Sequence, residues 1–85
     1  MKYESELETI SKYINEWDPI GLLAGGAPPN EYSIEIRELA AMNISLLDEV
    51  ELAKLIQDVF LDFMGIKLRT LNCLDCAMKI KGSLK

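Results

Sequence analysis

Histidine is missing from the sequence altogether. That removes the side chain most often used as a general base near neutral pH, and with it the commonest metal ligand. Cysteine occurs only twice, at Cys73 and Cys76, too few for a disulfide scaffold. The simplest setting for such a chain is a reducing cytoplasm. No run of about 18 apolar residues occurs, so no membrane-spanning helix is predicted. The acidic, interrupted start Met1-Lys2-Tyr3-Glu4-Ser5-Glu6 lacks the pattern of a secretory signal. Positive charge is also scarce: 9 Lys and Arg stand against 14 Asp and Glu, leaving −5 over 85 residues. Hydrophobic residues make up 49% of the chain. That is enough for one core, and residues 1–85 read as a single domain near the lower size limit for independent folding.

The apolar residues recur at helical spacing in four places. Leu7, Ile10, Ile14 and Trp17 form one stripe from about Ser5, with Tyr13 and Tyr3 flanking it and Glu6, Glu8 and Glu16 elsewhere on the wheel. Asp18-Pro19 ends that helix, because a residue before proline is pushed out of the α region. Asp18 as N-cap and Pro19 at the first helical position suit a short following turn. Ala24-Gly25-Gly26-Ala27-Pro28-Pro29 is a loop. Asn30 is placed to cap a second helix over about Glu31 to Met42, with Tyr32, Ile36, Leu39 and Ala40 inward and Glu35 and Glu38 off that face. Asp48-Glu49-Val50-Glu51 has the form of a capping box. It opens a third helix whose stripe runs through Leu52, Leu55, Ile56, Val59, Phe60, Phe63 and Met64, and Gly65 sits where a left-handed residue would end it. A fourth helix is predicted from Thr70 to Lys81, with one stripe of Leu71, Leu74 and Met78 and another of Cys73, Cys76, Ala77 and Ile80. A helix apolar over so much of its circumference is either central or covered by a partner. There is no strand alternation, no hairpin signal and no repeat. The pattern predicts an all-α fold, an irregular four-helix bundle with a Gly/Pro-rich loop after the first helix.

Charge divides unevenly along the chain. Residues 1–62 hold all the acids except Asp75 and only four bases, a balance of −9, whereas residues 63–85 carry +4. The basic C-terminal stretch lacks interleaved aromatics, and the whole chain is acidic, so nucleic-acid binding is not expected. An acidic body suits a basic protein partner, since complementary charge speeds and steers association. The carboxylates at helical spacing, Glu31/Glu35/Glu38 and Asp58/Asp62, read as solvated faces or as such a patch. Without histidine they cannot build a carboxylate di-iron centre, and no calcium-loop pattern is present. Gly25-Gly26 follows no strand and has no Gly-Lys-Ser/Thr ending, so it is a turn and not a phosphate cradle.

Cys73-Leu74-Asp75-Cys76 puts two sulfurs on one helical face. Tetrahedral zinc needs four ligands, so one chain could give only half a site and a homodimer would be required. Redox use needs the pair at a helix N-terminus, where the thiol pKa falls. In mid-helix the two cysteines read as small buried hydrophobes. No cofactor and no catalytic residue is expected.

Trp17-Asp18-Pro19-Ile20-Gly21-Leu22, the Gly/Pro loop, Asn30-Glu31-Tyr32, Glu35-Ile36 and the run Val59-Phe60-Leu61-Asp62-Phe63-Met64-Gly65 together resemble the YugE-like family of small bacterial proteins, a domain of unknown function. Asn30 stands where that pattern has Asp, which keeps capping ability and loses a charge. The resemblance implies an all-helical fold and no particular activity. The Trp-Asp-Pro-Ile-Gly string is also similar to segments of immunity proteins of contact-dependent bacterial toxins. The turn has a structural account as well: Trp17 buried with its indole N–H on a loop carbonyl, Asp18 capping, and Tyr32 packed beneath the loop.

Three readings follow. The first is a non-enzymatic cytoplasmic module binding a protein, such as a basic toxin, through Glu31, Glu35, Glu38, Asp58 and Asp62 with Trp17, Asp18 and Tyr32. The second is a thiol or metal-binding homodimer using Cys73 and Cys76, and the third a housekeeping homo-oligomer.

Overall fold

A computed structural model of the chain describes the backbone of residues 2–28 and 30–84, and side chains within them from Ser5 onward. Pro29 of the loop and the Tyr3 ring on the flank of the first helix lie outside that description. The elements are α1 (Lys2–Trp17), α2 (Ser33–Ala41), a single 3₁₀ turn (Ile44–Leu46), α3 (Glu49–Met64) and α4 (Thr70–Ser83), with no strand among the described residues. This is the expected all-α four-helix bundle. No helix among the described residues is long and apolar enough to cross a membrane.

Each helix contributes to one core. Ile10 and Ile14 come from α1, Ile36 and Leu39 from α2, Leu52, Ile56 and Phe60 from α3, and Cys73, Ala77 and Ile80 from α4, all buried. Tyr32, just before α2, tilts against Phe60 with ring centroids 5.9 Å apart, a separation at which aromatic pairs attract beyond their buried area.

The helix ends follow local chemistry. The α1 helix stops at Trp17, as the following Asp-Pro requires. The α3 helix opens on a complete capping box: Glu51 N–H donates to Asp48 Oδ1 at 2.7 Å, and Asp48 N–H to Glu51 Oε1 at 3.0 Å. It closes at Gly65, whose φ of 68° is the left-handed conformation that costs glycine nothing. The start of α2 differs from expectation. Asn30 closes a turn by accepting from Ser33 N–H at 3.0 Å, and the boundary residue is Tyr32, which makes no side-chain cap. The Tyr32 side chain is committed to the core and the loop, and that fixes where the helix can begin. After α2, Asn43 turns left-handed at φ 56° and leads into the 3₁₀ turn, which periodicity over three residues could not reveal. The α4 helix runs through Gly82 to Ser83.

Hydrogen bonds between α3 and α4 set their register. Gln57 Nε2 donates to the Leu68 carbonyl at 2.7 Å and to Thr70 Oγ1 at 3.2 Å. Lys81 Nζ donates to the carbonyls of Ile44 and Ser45, at 3.3 and 3.2 Å. The start of α4 thus lies beside the second half of α3, and its end beside the turn that precedes α3, so the two run antiparallel. Of the two apolar stripes on α4, the one carrying the cysteines faces the core. Leu71 and Met78 point outward, at 78% and 57% exposure.

Candidate functional site

The loop after α1 is held by a polar latch. Asp18 adopts φ 49°, in the left-handed region, a conformation that short polar side chains tolerate better than most. Its carboxylate accepts from Leu23 N–H at 3.1 Å, Ala24 N–H at 2.9 Å and the Tyr32 hydroxyl at 2.5 Å. The same hydroxyl accepts from Ile20 N–H at 3.3 Å. Asp18 is therefore not the extended N-cap that the sequence suggested, because the left-handed turn aims its carboxylate across the loop instead. The Tyr32 hydroxyl beside Asp18 holds the carboxyl below its ordinary value, with the loop N–H groups adding to this and burial opposing it. Burial in turn pushes the Tyr32 phenol up, and its bond to Asp18 adds to that. Tyr32 is fully buried, so it supports the loop from beneath and offers no surface for contact.

Trp17 is half-buried at the end of α1. Among the described residues its indole N–H has no loop carbonyl partner, contrary to expectation. It lines a groove of about 270 Å³ between α1 and α4 with Tyr13, Glu16, Asn72, Asp75 and Lys79. None of Glu31, Glu35, Glu38, Asp58 and Asp62 lines that groove.

The acidic residues separate as well. Glu31, Glu38, Asp58 and Asp62 are exposed, but Glu35 is not. Only 3% of Glu35 is accessible, and its Oε1 has no hydrogen-bond partner. Its position on the edge of the α2 stripe turns it inward, which removes it from the surface to which the sequence assigned it. Glu6 on α1 behaves alike, being buried with Oε2 unpartnered.

A second groove, of about 280 Å³, runs between α2 and α3. Met42, Leu47 and Leu55 give it apolar walls, and Glu51, Asp58 and Lys54 stand around them. Glu51, Leu55, Asp58 and Asp62 follow one another at steps of four, three and four along α3, so the α3 rim is acidic, and Glu38 lies one turn before Met42 in sequence. Among the described residues the single ion pair is Asp75 with Lys79, at 3.2 Å. Among the same residues none of the rim carboxylates is in an ion pair, although Lys54 stands between Glu51 and Asp58 on the same helix. The spacing along α3 was visible in the sequence, but Glu51 read only as a capping residue and Met42 only as a helix end, so the groove was missed.

Cys73 and Cys76 are both free and buried. Burial pushes the Cys73 thiol up to about 11 and Cys76 up to about 12, with Cys73 itself a lesser contributor. No group of three or more His, Cys, Asp or Glu that could hold a metal occurs among the described residues. In the native protein both thiols are expected to react with a maleimide at pH 7 about a hundredfold or more slowly than free cysteine. Both should label promptly once the protein is denatured, as counted by mass spectrometry. Prompt native labelling would mean an accessible thiol pair.

Comparison with protein families, with curated proteins and with solved structures returns no match for this chain.

Proposed function

We propose that this chain is a non-enzymatic protein-binding module of the cytoplasm whose partner is basic. The observation that carries the reading is the α2–α3 groove. Apolar side chains beside an acidic rim suit a partner segment that presents oily anchors flanked by Lys or Arg. The resemblance of Trp17-Asp18-Pro19-Ile20-Gly21 to immunity-protein segments makes a basic bacterial toxin the first partner to test. The resemblance of the wider motif set to the YugE-like family is compatible with the same role. Asp58, Asp62 and Glu38 supply the steering charge, Glu31 extends it, and Met42, Leu47 and Leu55 supply the contact. Asp18 and Tyr32 act behind the surface by fixing the loop.

The test is capture from native lysate with the chain as bait, followed by kinetics on the recovered protein. Asp58→Lys with Asp62→Lys is expected to lower the association rate about tenfold or more and to flatten its salt dependence. Unchanged kinetics would discard the acidic groove as the contact. Glu35→Gln, whose side chain is buried, should bind like the wild type.

A further inference from the structure

We propose that the groove between α1 and α4 takes the side chain of an arginine presented by a partner protein. Helical spacing builds both of its walls. Tyr13, Glu16 and Trp17 fall three and four residues apart on α1, and Asn72, Asp75 and Lys79 at steps of three and four on α4. The Tyr13 hydroxyl shares a hydrogen bond of 2.7 Å with Ser83 Oγ at the end of α4, which ties that side chain across the two helices.

The charges in and beside the groove select its occupant. Asp75 is committed to Lys79 at 3.2 Å. Lys12, one turn before Glu16, lies over the Tyr13 ring at 5.2 Å. Glu16 is exposed and has no ion pair among the described residues. The groove therefore offers an open carboxylate next to a half-buried indole in sequence and in space. Those two groups together suit a guanidinium, whose fork of N–H groups donates to the carboxylate and whose charge is drawn to the ring. Asn72 brings an amide oxygen for a further N–H.

Other occupants fit less well. An anion would meet Glu16 and Asp75, and an apolar side chain would strip them of water without giving a bond in return. A lysine ammonium is a compact, strongly hydrated charge that matches neither the ring face nor the planar carboxylate as a guanidinium does. The volume, about 270 Å³, lies below the range of about 300–1,000 Å³ usual for small-molecule pockets, and it suits one long side chain entering from a partner's surface. The net charge of −5 draws such a partner in. This inference does not rest on the α2–α3 groove, which shares no lining residue with this one, so either can fail alone.

Trp17 is the single tryptophan of the chain, so its fluorescence reads the groove directly. Titration at constant ionic strength with the peptide acetyl-Gly-Gly-Arg-Gly-Gly-amide is expected to change its emission saturably. The same peptide with citrulline, neutral and of nearly the same shape, should leave it unchanged. Glu16→Gln, at an exposed position, should weaken the arginine peptide about fivefold while the circular dichroism spectrum is unchanged. Lys79→Gln frees the Asp75 carboxylate and should tighten binding by a similar factor, a gain that damage to the fold would not produce. An emission unmoved by the arginine peptide, or moved equally by the citrulline peptide, overturns the proposal, and so does a Glu16→Gln protein that binds like the wild type. Agmatine that binds as tightly as the peptide overturns the assignment to a protein segment and gives the groove to a free guanidinium compound.

Discussion

Truncating Tyr32 to alanine is expected to leave the domain barely folded. Its fully buried ring packs on Phe60 and its hydroxyl joins α2 to the loop after α1. Loss of a buried aromatic costs about 3–5 kcal/mol, against a total of about 4–13 kcal/mol for a domain of this size. Tyr32→Phe keeps the ring and removes only the hydroxyl, which strands Ile20 N–H and one bond of the Asp18 carboxylate, and should cost about 1–3 kcal/mol. Urea denaturation of the three proteins measures both effects. Equal stability of wild type and Tyr32→Phe would mean that the latch contributes nothing.

The same latch sets a pH dependence with two signs. Asp18 is held below its ordinary 3.8 in the folded state, first by the Tyr32 hydroxyl. Its contribution is therefore complete above that value and is lost as pH falls through the lowered one. Tyr32 is raised above its ordinary 10.0, first by burial, so its contribution is complete below 10 and is lost as pH rises through the raised value. In Tyr32→Phe the alkaline limb should disappear and the acid limb should become shallower.

Replacing Glu35 by leucine is expected to act in the opposite direction and raise stability by about 1–3 kcal/mol. A buried carboxylate oxygen without a partner forfeits hydration and receives nothing in return, and an apolar side chain of similar volume removes that penalty. Thermal and urea unfolding should both show the gain, and a loss of stability would mean that Glu35 has an unrecognised partner. Because the side chain does not reach the surface, binding through the α2–α3 groove should be unaffected. That separates a carboxylate kept for its contact from one that merely tolerates burial.

The sequence made much of the architecture legible because the relevant forces are local. Asp48 and Glu51 cap each other across one turn. Gly65 ends α3 because only glycine reaches φ 68° freely, and Asp18-Pro19 ends α1 by steric exclusion. These need no knowledge of the rest of the chain. Glu6 and Glu35 were misplaced because they lie at the edges of their stripes, where the width of the buried sector depends on how closely a neighbouring helix approaches. Leu71 and Met78 were open to two readings for the same reason: α4 carries two apolar stripes, and periodicity cannot choose between them.

Four helices, their principal ends, the acidic body and the basic C-terminal stretch were therefore determined by the sequence alone, since backbone sterics, capping and composition act over a few residues. Tertiary structure alone decided which α4 stripe faces the core, that Tyr32 reaches back to Asp18, and that Glu51 and Asp58 of α3 share one groove with Met42, Leu47 and Leu55. Those outcomes depend on how helices distant in sequence pack together, and that packing follows from the burial of all their apolar faces at once.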